Sequence, residues 1–197
     1  MTRAFEEFGP RALHFFHPSH VPLRAPAARI DRHLLAAPAG SMAERPDAAG
    51  LDRVALRRGA SLDFYPRYEA AYQEMLDARG YLRGEVSAES RERLAECLEQ
   101  GLLWEVFVDG AWAGLIAARH DLVAGVRGLQ MVEIVLAKGA RGQRLGPAVH
   151  QRLARYVAEA DPAAVILGTI SAKNVPSLRT AKKAGRMEIG AHHWVDL

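Results

Sequence analysis

Val132-Glu133-Ile134-Val135-Leu136-Ala137-Lys138-Gly139-Ala140-Arg141-Gly142-Gln143-Arg144-Leu145-Gly146-Pro147 decides how this chain is read. An apolar strand runs into a glycine-containing turn, and the turn opens a helix. Such a junction gathers backbone N–H groups that have no intrahelical partner, at the positive end of the helix dipole. A pyrophosphate suits that spot. Gly142 and Gly146 are expected to let the backbone approach it without a Cβ in the way. Pro147 suits the first helical turn, where a missing N–H matters little. Lys138, Arg141 and Arg144 are expected to surround the mouth with positive charge, each charge-assisted hydrogen bond contributing roughly 1.5–3 kcal/mol. The plainer alternative is a strand-to-helix turn that merely needs glycine. No Gly-Lys-Ser/Thr follows, so this is not a nucleotide P-loop. Nor is it a Gly-x-Gly-x-x-Gly dinucleotide loop.

Outward from this segment, strands and helices alternate from Leu51 onward. Val54–Arg57 reads as a strand. Ser61 is placed to cap a helix to about Ala78, stopped by Gly80, and Ser87 one through Glu99, stopped by Gly101. Leu102–Val108 and Trp112–Arg119 read as strands around the hairpin signal Asp109-Gly110. Gly128–Ala137 is a third strand. A helix over about Leu145–Ala160 carries Leu145, Val149, Leu153 and Val157 as an apolar stripe. Ala163–Ile170 is a strand, Asn174–Ala184 a helix ended by Gly185, and Met187–Leu197 one or two strands. The strand–helix–strand order after Gly128 calls for a parallel pair, and the earlier hairpin is antiparallel. The fold class expected is α/β (α+β) with a mixed sheet.

Residues 1–50 read differently. Pro10, Pro18, Pro22, Pro26, Pro38 and Pro46 recur too often for long regular elements, and His14, His17, His20 and His33 lie among them. One short helix is expected over Ala28–Ala37, with the remainder an extension rather than a second domain. His14, His17 and His20 do not make a metal site, because Pro18 breaks any helix that would align them. The 197 residues have ordinary globular composition, 49% hydrophobic and 25% charged, which supports one sizeable core. A net charge of +3 does not by itself argue for nucleic acid. The single cysteine, Cys97, allows no internal disulfide and is expected to pack in a helix. With no apolar signal core in Met1–Gly9 and no run long enough to cross a bilayer, a cytoplasmic protein is expected.

Arg141-Gly142-Gln143-Arg144-Leu145-Gly146 resembles the Gln/Arg-x-x-Gly-x-Gly/Ala motif of the GNAT superfamily of acyl-CoA-dependent N-acyltransferases, with Arg144 where glycine is usual. Asn174-Val175-Pro176-Ser177, followed by Lys182-Lys183-Ala184-Gly185, looks like that family's second block, with Arg186 where phenylalanine is usual. The resemblance covers roughly residues 51–197. It implies a mostly antiparallel central sheet with a parallel, splayed strand pair and helices on both faces. It also implies acetyl-CoA as donor and an amine of a small molecule or peptide as acceptor, with no nucleic-acid or membrane partner. A homodimer is left open.

By the same resemblance, Ile134, Val135, Leu136, Arg141, Gly142, Gln143, Arg144, Leu145, Gly146, Asn174 and Ser177 bind cofactor. Glu133 is the candidate general base. Its apolar neighbours would raise its pKa toward the useful range. Alternatively it points outward or serves as a structural hydrogen-bond partner. Many relatives place a tyrosine where this chain has Ala181, so Ser177 is the candidate acid for the leaving thiolate, or a cofactor ligand. Asn174 is expected to bind the pantetheine amide or cap its helix. A backbone N–H near Leu136 is expected to hold the oxyanion. A lysine amine (pKa ~10.4) costs roughly 4–5 kcal/mol to deprotonate at neutral pH, and an α-amine near 8 about 1, which mildly favours the latter. Phe15, Phe16, Phe64, Tyr65, Tyr68 and Tyr72 either line an acceptor pocket or belong to the core. The competing readings are a catalytically idle acyl-CoA-binding module, and a transferase drawing on aminoacyl-tRNA or acyl carrier protein through Arg11, Arg24, Arg29 and Arg32.

Overall fold

The computed structural model describes residues 9, 11–25 and 27–197; the reading of residues 1–8 as lacking a signal core lies outside them. Eight strands form one sheet in the order β1-β8-β2-β7-β6-β5-β4-β3. They are β1 (Ala12–Pro18), β2 (Arg29–Pro38), β3 (Val54–Arg58), β4 (Leu103–Val108), β5 (Ala111–Val123), β6 (Val126–Leu136), β7 (Val165–Ser171) and β8 (Met187–Asp196). The helices are α1 (Ala39–Ala43), α2 (Tyr65–Ala78), α3 (Arg91–Glu99), α4 (Gly146–Ala158) and α5 (Val175–Lys183). Every neighbouring pair is antiparallel except β6 and β7. This is the expected α/β (α+β) class, with its mostly antiparallel sheet and single parallel pair.

Each face of the sheet carries its own core. Trp104, Val106, Ile116 and Ala118 pack with Ala148, Val149 and Leu153 of α4. On the other face Leu103, Leu115, Ala117 and Val135 pack with Tyr68 and Tyr72 of α2 and Leu94 and Cys97 of α3. Alternation along β5 sends Leu115 and Ala117 one way and Ile116 and Ala118 the other, as strand geometry requires. Cys97 is buried as expected, and burial pushes its thiol up to about 11.

Asp109 and Gly110 both hold positive φ, 50° and 80°, the type I′ geometry that joins twisted strands. Ala124 and Gly125 do the same at 49° and 82° without the Asn/Asp-Gly signal, and so β5 and β6 run further than expected. Two helices start later than expected. Pro66 fits only a first turn, so α2 begins at Tyr65 rather than near Ser61. Ser90, not Ser87, caps α3, its side chain accepting from the Arg93 N–H.

The helix expected over Ala28–Ala37 is strand β2. It lies between β7 and β8, and Leu34–Ala37 are all buried. A strand covered on both faces reads as a continuous apolar run, which a short helix also matches. Residues 12–18 and 29–38 are therefore strands of the same sheet as residues 51–197.

Candidate active site

β6 and β7 pair only at Leu129↔Ile166 and Gln130↔Leu167. Beyond those two rungs they part, and a cleft of about 900 Å³ opens between Met131–Leu136 on one side and Gly168–Ser171 on the other. Facing β5, the register steps from Ala117↔Glu133 to Ala118↔Met131, leaving Val132 as an extra residue. This bulge puts two successive side chains on one face. Val132 packs against the Tyr68 cluster and Glu133 bonds Tyr68, whereas Met131 and Ile134 lie on the α4 face. The Ala137 N–H donates to Ala113 O. Antiparallel pairing alternates, so Val135 and Glu133 also turn their backbone groups to β5. The N–H groups of Ile134 and Leu136 then face the splay. Ile134 donates to Glu133 Oε1 at 2.8 Å, and by the same alternation the Leu136 N–H turns away from β5.

Glu133 lines the cleft, but its carboxylate is hemmed in by protein. Tyr68 donates to Oε2 at 2.5 Å, and Tyr68 in turn accepts the Glu89 N–H at 2.6 Å. Burial raises the Glu133 pKa to about 7, against the lowering effect of the Tyr68 and Ile134 hydrogen bonds. The same burial and the nearby Glu133 charge raise Tyr68 and Tyr72, so both remain phenols at neutral pH. Tyr68 is wholly buried, so the two expectations for it merge: it is core, and its hydroxyl reaches the site.

At the far end of β6 a 3-10 turn at Lys138–Ala140 leads into the loop. Gly142 holds φ 78° and Arg144 φ 60°. Leu145 precedes α4 with no side-chain cap, and Pro147 lies in the first turn. Among the described residues no protein acceptor meets the N–H groups of residues 142–146 or of Ala148. The loop therefore offers a run of uncapped donors beside the cleft. Arg144 takes the left-handed conformation that glycine adopts freely, a strain of roughly 1–2 kcal/mol.

Gly146 and Arg141 line the cleft and also make contacts within the protein. A Cβ on Gly146 would stand 2.6 Å from the Thr180 side chain, so this glycine also lets α5 pack on α4. Arg141 directs its guanidinium to the protein's own carbonyls. Its Nε donates to Leu136 O at 2.7 Å and its Nη2 to Ala71 O at 2.8 Å, which ties the loop to β6 and α2. Gln143 also turns aside, bonding Gly139 O and Arg53. Ile134, Val135, Leu136, Gly142, Arg144, Leu145, Gly146, Asn174 and Ser177 all line the cleft.

Asn174 caps α5 by accepting the Ser177 N–H at 3.4 Å. Ser177 follows within the first turn, and its hydroxyl has no hydrogen-bond partner among the described residues. Thr180 donates its own hydroxyl to Pro176 O. Ala181 is fully buried. Arg29 of the N-terminal segment pairs with Asp196, away from the loop.

Some features carry no signal in the sequence. Tyr68 as partner of Glu133 lies 65 residues away, beyond any local pattern. A second hollow, of about 540 Å³, adjoins the loop and shares Arg144, Pro147 and Thr180 with the cleft. Arg45, Arg179 and Lys183 line it, drawn from separate segments. No helix among the described residues is long and apolar enough to cross a membrane.

No family model matches the chain, and no curated protein matches it in sequence. Solved structures do. An acetyltransferase from the GNAT family of Colwellia psychrerythraea aligns with TM-score 0.54 at 12% identity, over 88% of this chain and 58% of its own. A GCN5-related N-acetyltransferase from Sphaerobacter thermophilus gives 0.54 at 13%, over 99% and 55%. Another, from Kribbella flavida, gives 0.53 at 14%, over 99% and 72%. The chain spans little more than half the length of the first two. The likeness is one of architecture, and it shows that this chain has the GNAT fold.

Proposed function

We propose that the protein is an acyl-coenzyme A-dependent N-acyltransferase, with acetyl-CoA as a donor and a primary amine of a small molecule or protein N-terminus as acceptor. One observation carries this reading: a splayed strand pair with uncapped amides at one end and a buried carboxylate of pKa about 7 beside it. The diphosphate would rest on the N–H groups of residues 142–146 and Ala148. The hollow of Arg45, Arg144, Arg179 and Lys183 would take the further phosphate of the nucleotide. The pantetheine arm would lie along the open edge of β6.

In this account Glu133 takes a proton from the incoming ammonium or amine. A base with pKa near the working pH is best matched to that task. The amine nitrogen attacks the thioester carbon, and the Leu136 N–H stabilises the oxyanion. Collapse breaks the C–S bond, and the thiolate receives a proton from Ser177 or from water. Buried Ala181 leaves no phenol on α5 for that role, which is what favours the reading as an idle binding module. The reading through another acyl carrier requires free arginines on the N-terminal segment, and Arg29 is already paired.

Thiol release from acetyl-CoA over a panel of amines, with calorimetry of coenzyme A binding, separates the three. Binding with turnover on at least one amine supports the proposal. Binding without turnover on any amine supports the idle module. No binding of coenzyme A overturns the cofactor assignment.

A further inference from the structure

Arg186 is 3% exposed, and its Nε and Nη1 have no hydrogen-bond partner among the described residues. A guanidinium buried without an anion is costly, and such groups are nearly always paired. Arg186 lines the cleft. Its Nη1 stands 3.2 Å from where a Gly168 Cβ would be, and the Met131 Cβ stands 3.1 Å from the same point. Gly168 and Met131 are the first residues past the last β6–β7 rung. The cation therefore sits at the apex of the splay, and any side chain at position 168 would crowd it. His150 of α4 lies close by, buried, with its Nδ1 also unpartnered among the described residues. Burial, and then the Arg186 charge, keep that imidazole neutral. Arg186 itself is lowered by burial only to about 10, so it stays charged at pH 7.

We propose that Arg186 and His150 bind a carboxylate at the far end of the donor's acyl chain, extending the donor range from acetyl-CoA to thioesters of short dicarboxylic acids, which this site prefers. The proposal rests on the coenzyme A reading above. Three arguments place the anion on the donor. First, Arg186 faces the α4 side with Met131, while Glu133 and Tyr68 occupy the opposite face, where the amine has to be deprotonated. Second, the pantetheine amides already have the open backbone edge of β6 to pair with. Third, the lengths agree. At about 3.3 Å per residue, Leu136 to Met131 spans about 16 Å, and Glu133 to Met131 about 7 Å. A thioester beside Glu133 thus points its acyl chain at the apex, and a chain of about four carbons brings its end to the cation. An acetyl group leaves the gap unfilled.

The transfer itself is unchanged. The C–N bond forms in the attack and the C–S bond breaks in the collapse. Glu133 takes the amine's proton and passes it to solvent, and the thiolate takes its proton from Ser177 or water (a Ser177 alkoxide being reprotonated from water). The distal carboxylate remains ionised on Arg186 throughout.

The test compares acetyl-, butyryl-, malonyl- and succinyl-CoA by thiol release in the wild type, Arg186→Met and Arg186→Lys, with thermal unfolding of each protein without ligand. We expect kcat/KM for succinyl-CoA to exceed that for butyryl-CoA by at least about 10-fold. Arg186→Met should erase that preference while keeping acetyl-CoA turnover within about threefold, and it should melt higher than the wild type because an unpaired buried charge is gone. Arg186→Lys should retain part of the preference. Equal use of succinyl- and butyryl-CoA by the wild type would overturn the proposal. So would an Arg186→Met variant that loses all donors alike, or one that melts lower with its preference intact. If no thioester is bound or consumed, the coenzyme A reading fails instead.

Discussion

The two ends of the cleft are built on opposite plans. At the loop, the N–H groups of residues 142–146 and Ala148 meet no acceptor among the described residues. At Glu133 the wiring is complete without a ligand: Glu89 N–H to Tyr68 oxygen, Tyr68 hydroxyl to Oε2, Ile134 N–H to Oε1. A binding end must leave donors unsatisfied so that the ligand's charge gains from meeting them. A catalytic end must hold its group still and set its pKa in advance. In the proposed function the same strand, β6, serves both, because the bulge at Val132 turns Glu133 to the α2 face while the open edge runs on to the loop.

Breaking the wired end should have the largest effect. Glu133→Gln should lower kcat by about 10²–10⁴-fold and leave coenzyme A affinity within about threefold, read by thiol release and calorimetry. In the wild type, kcat/KM should rise with pH and level off above about 7, since the base form appears only above the Glu133 pKa. Tyr68→Phe comes next. Its hydrogen bond lowers the Glu133 pKa, so removing it should move the inflection to higher pH, and the orphaned Glu89 N–H should destabilise the fold by about 1–3 kcal/mol.

The open end should respond in binding rather than in rate. Gly142 holds φ 78°, and an added Cβ would meet nothing within 4 Å, so Gly142→Val tests backbone conformation alone. It should weaken coenzyme A by about 10-fold, from roughly 1–2 kcal/mol of strain, with the pH profile unmoved. The smallest effect is expected for Arg144→Gly. Relief of the left-handed strain should raise stability by about 1 kcal/mol, while the lost cation lowers coenzyme A affinity by a few-fold.

The open end is the more legible of the two in sequence, for a physical reason. A strand, glycine turn and helix form from adjacent residues, so Val132–Pro147 carries its own geometry. The strand–turn–helix junction follows from that stretch, and the parallel β6–β7 pair from the strand–helix–strand order after Gly128. What Gly146 and Arg141 contact does not, because Thr180, Ala71 and Leu136 reach them through tertiary packing. Glu133 is marked by its position on the strand, but Tyr68, which fixes it, is not. Ala28–Ala37 reads as a helix because Ile30, Leu34 and Leu35 suit either a helix face or a central strand, and only β7 and β8 on either side decide between them. Arg186 stands out by type alone, and the orphaned guanidinium becomes visible only once the sheet is assembled.

The central claim is that the amides after β6 grip a diphosphate. The most direct test is to titrate coenzyme A into the 15N-labelled protein and follow the backbone N–H resonances of residues 142–148. The account predicts saturable downfield shifts concentrated in Gly142–Gly146 and Ala148, reproduced by coenzyme A but weakened when the diphosphate is absent, as with pantetheine. Saturable binding that leaves those amides unmoved would contradict it.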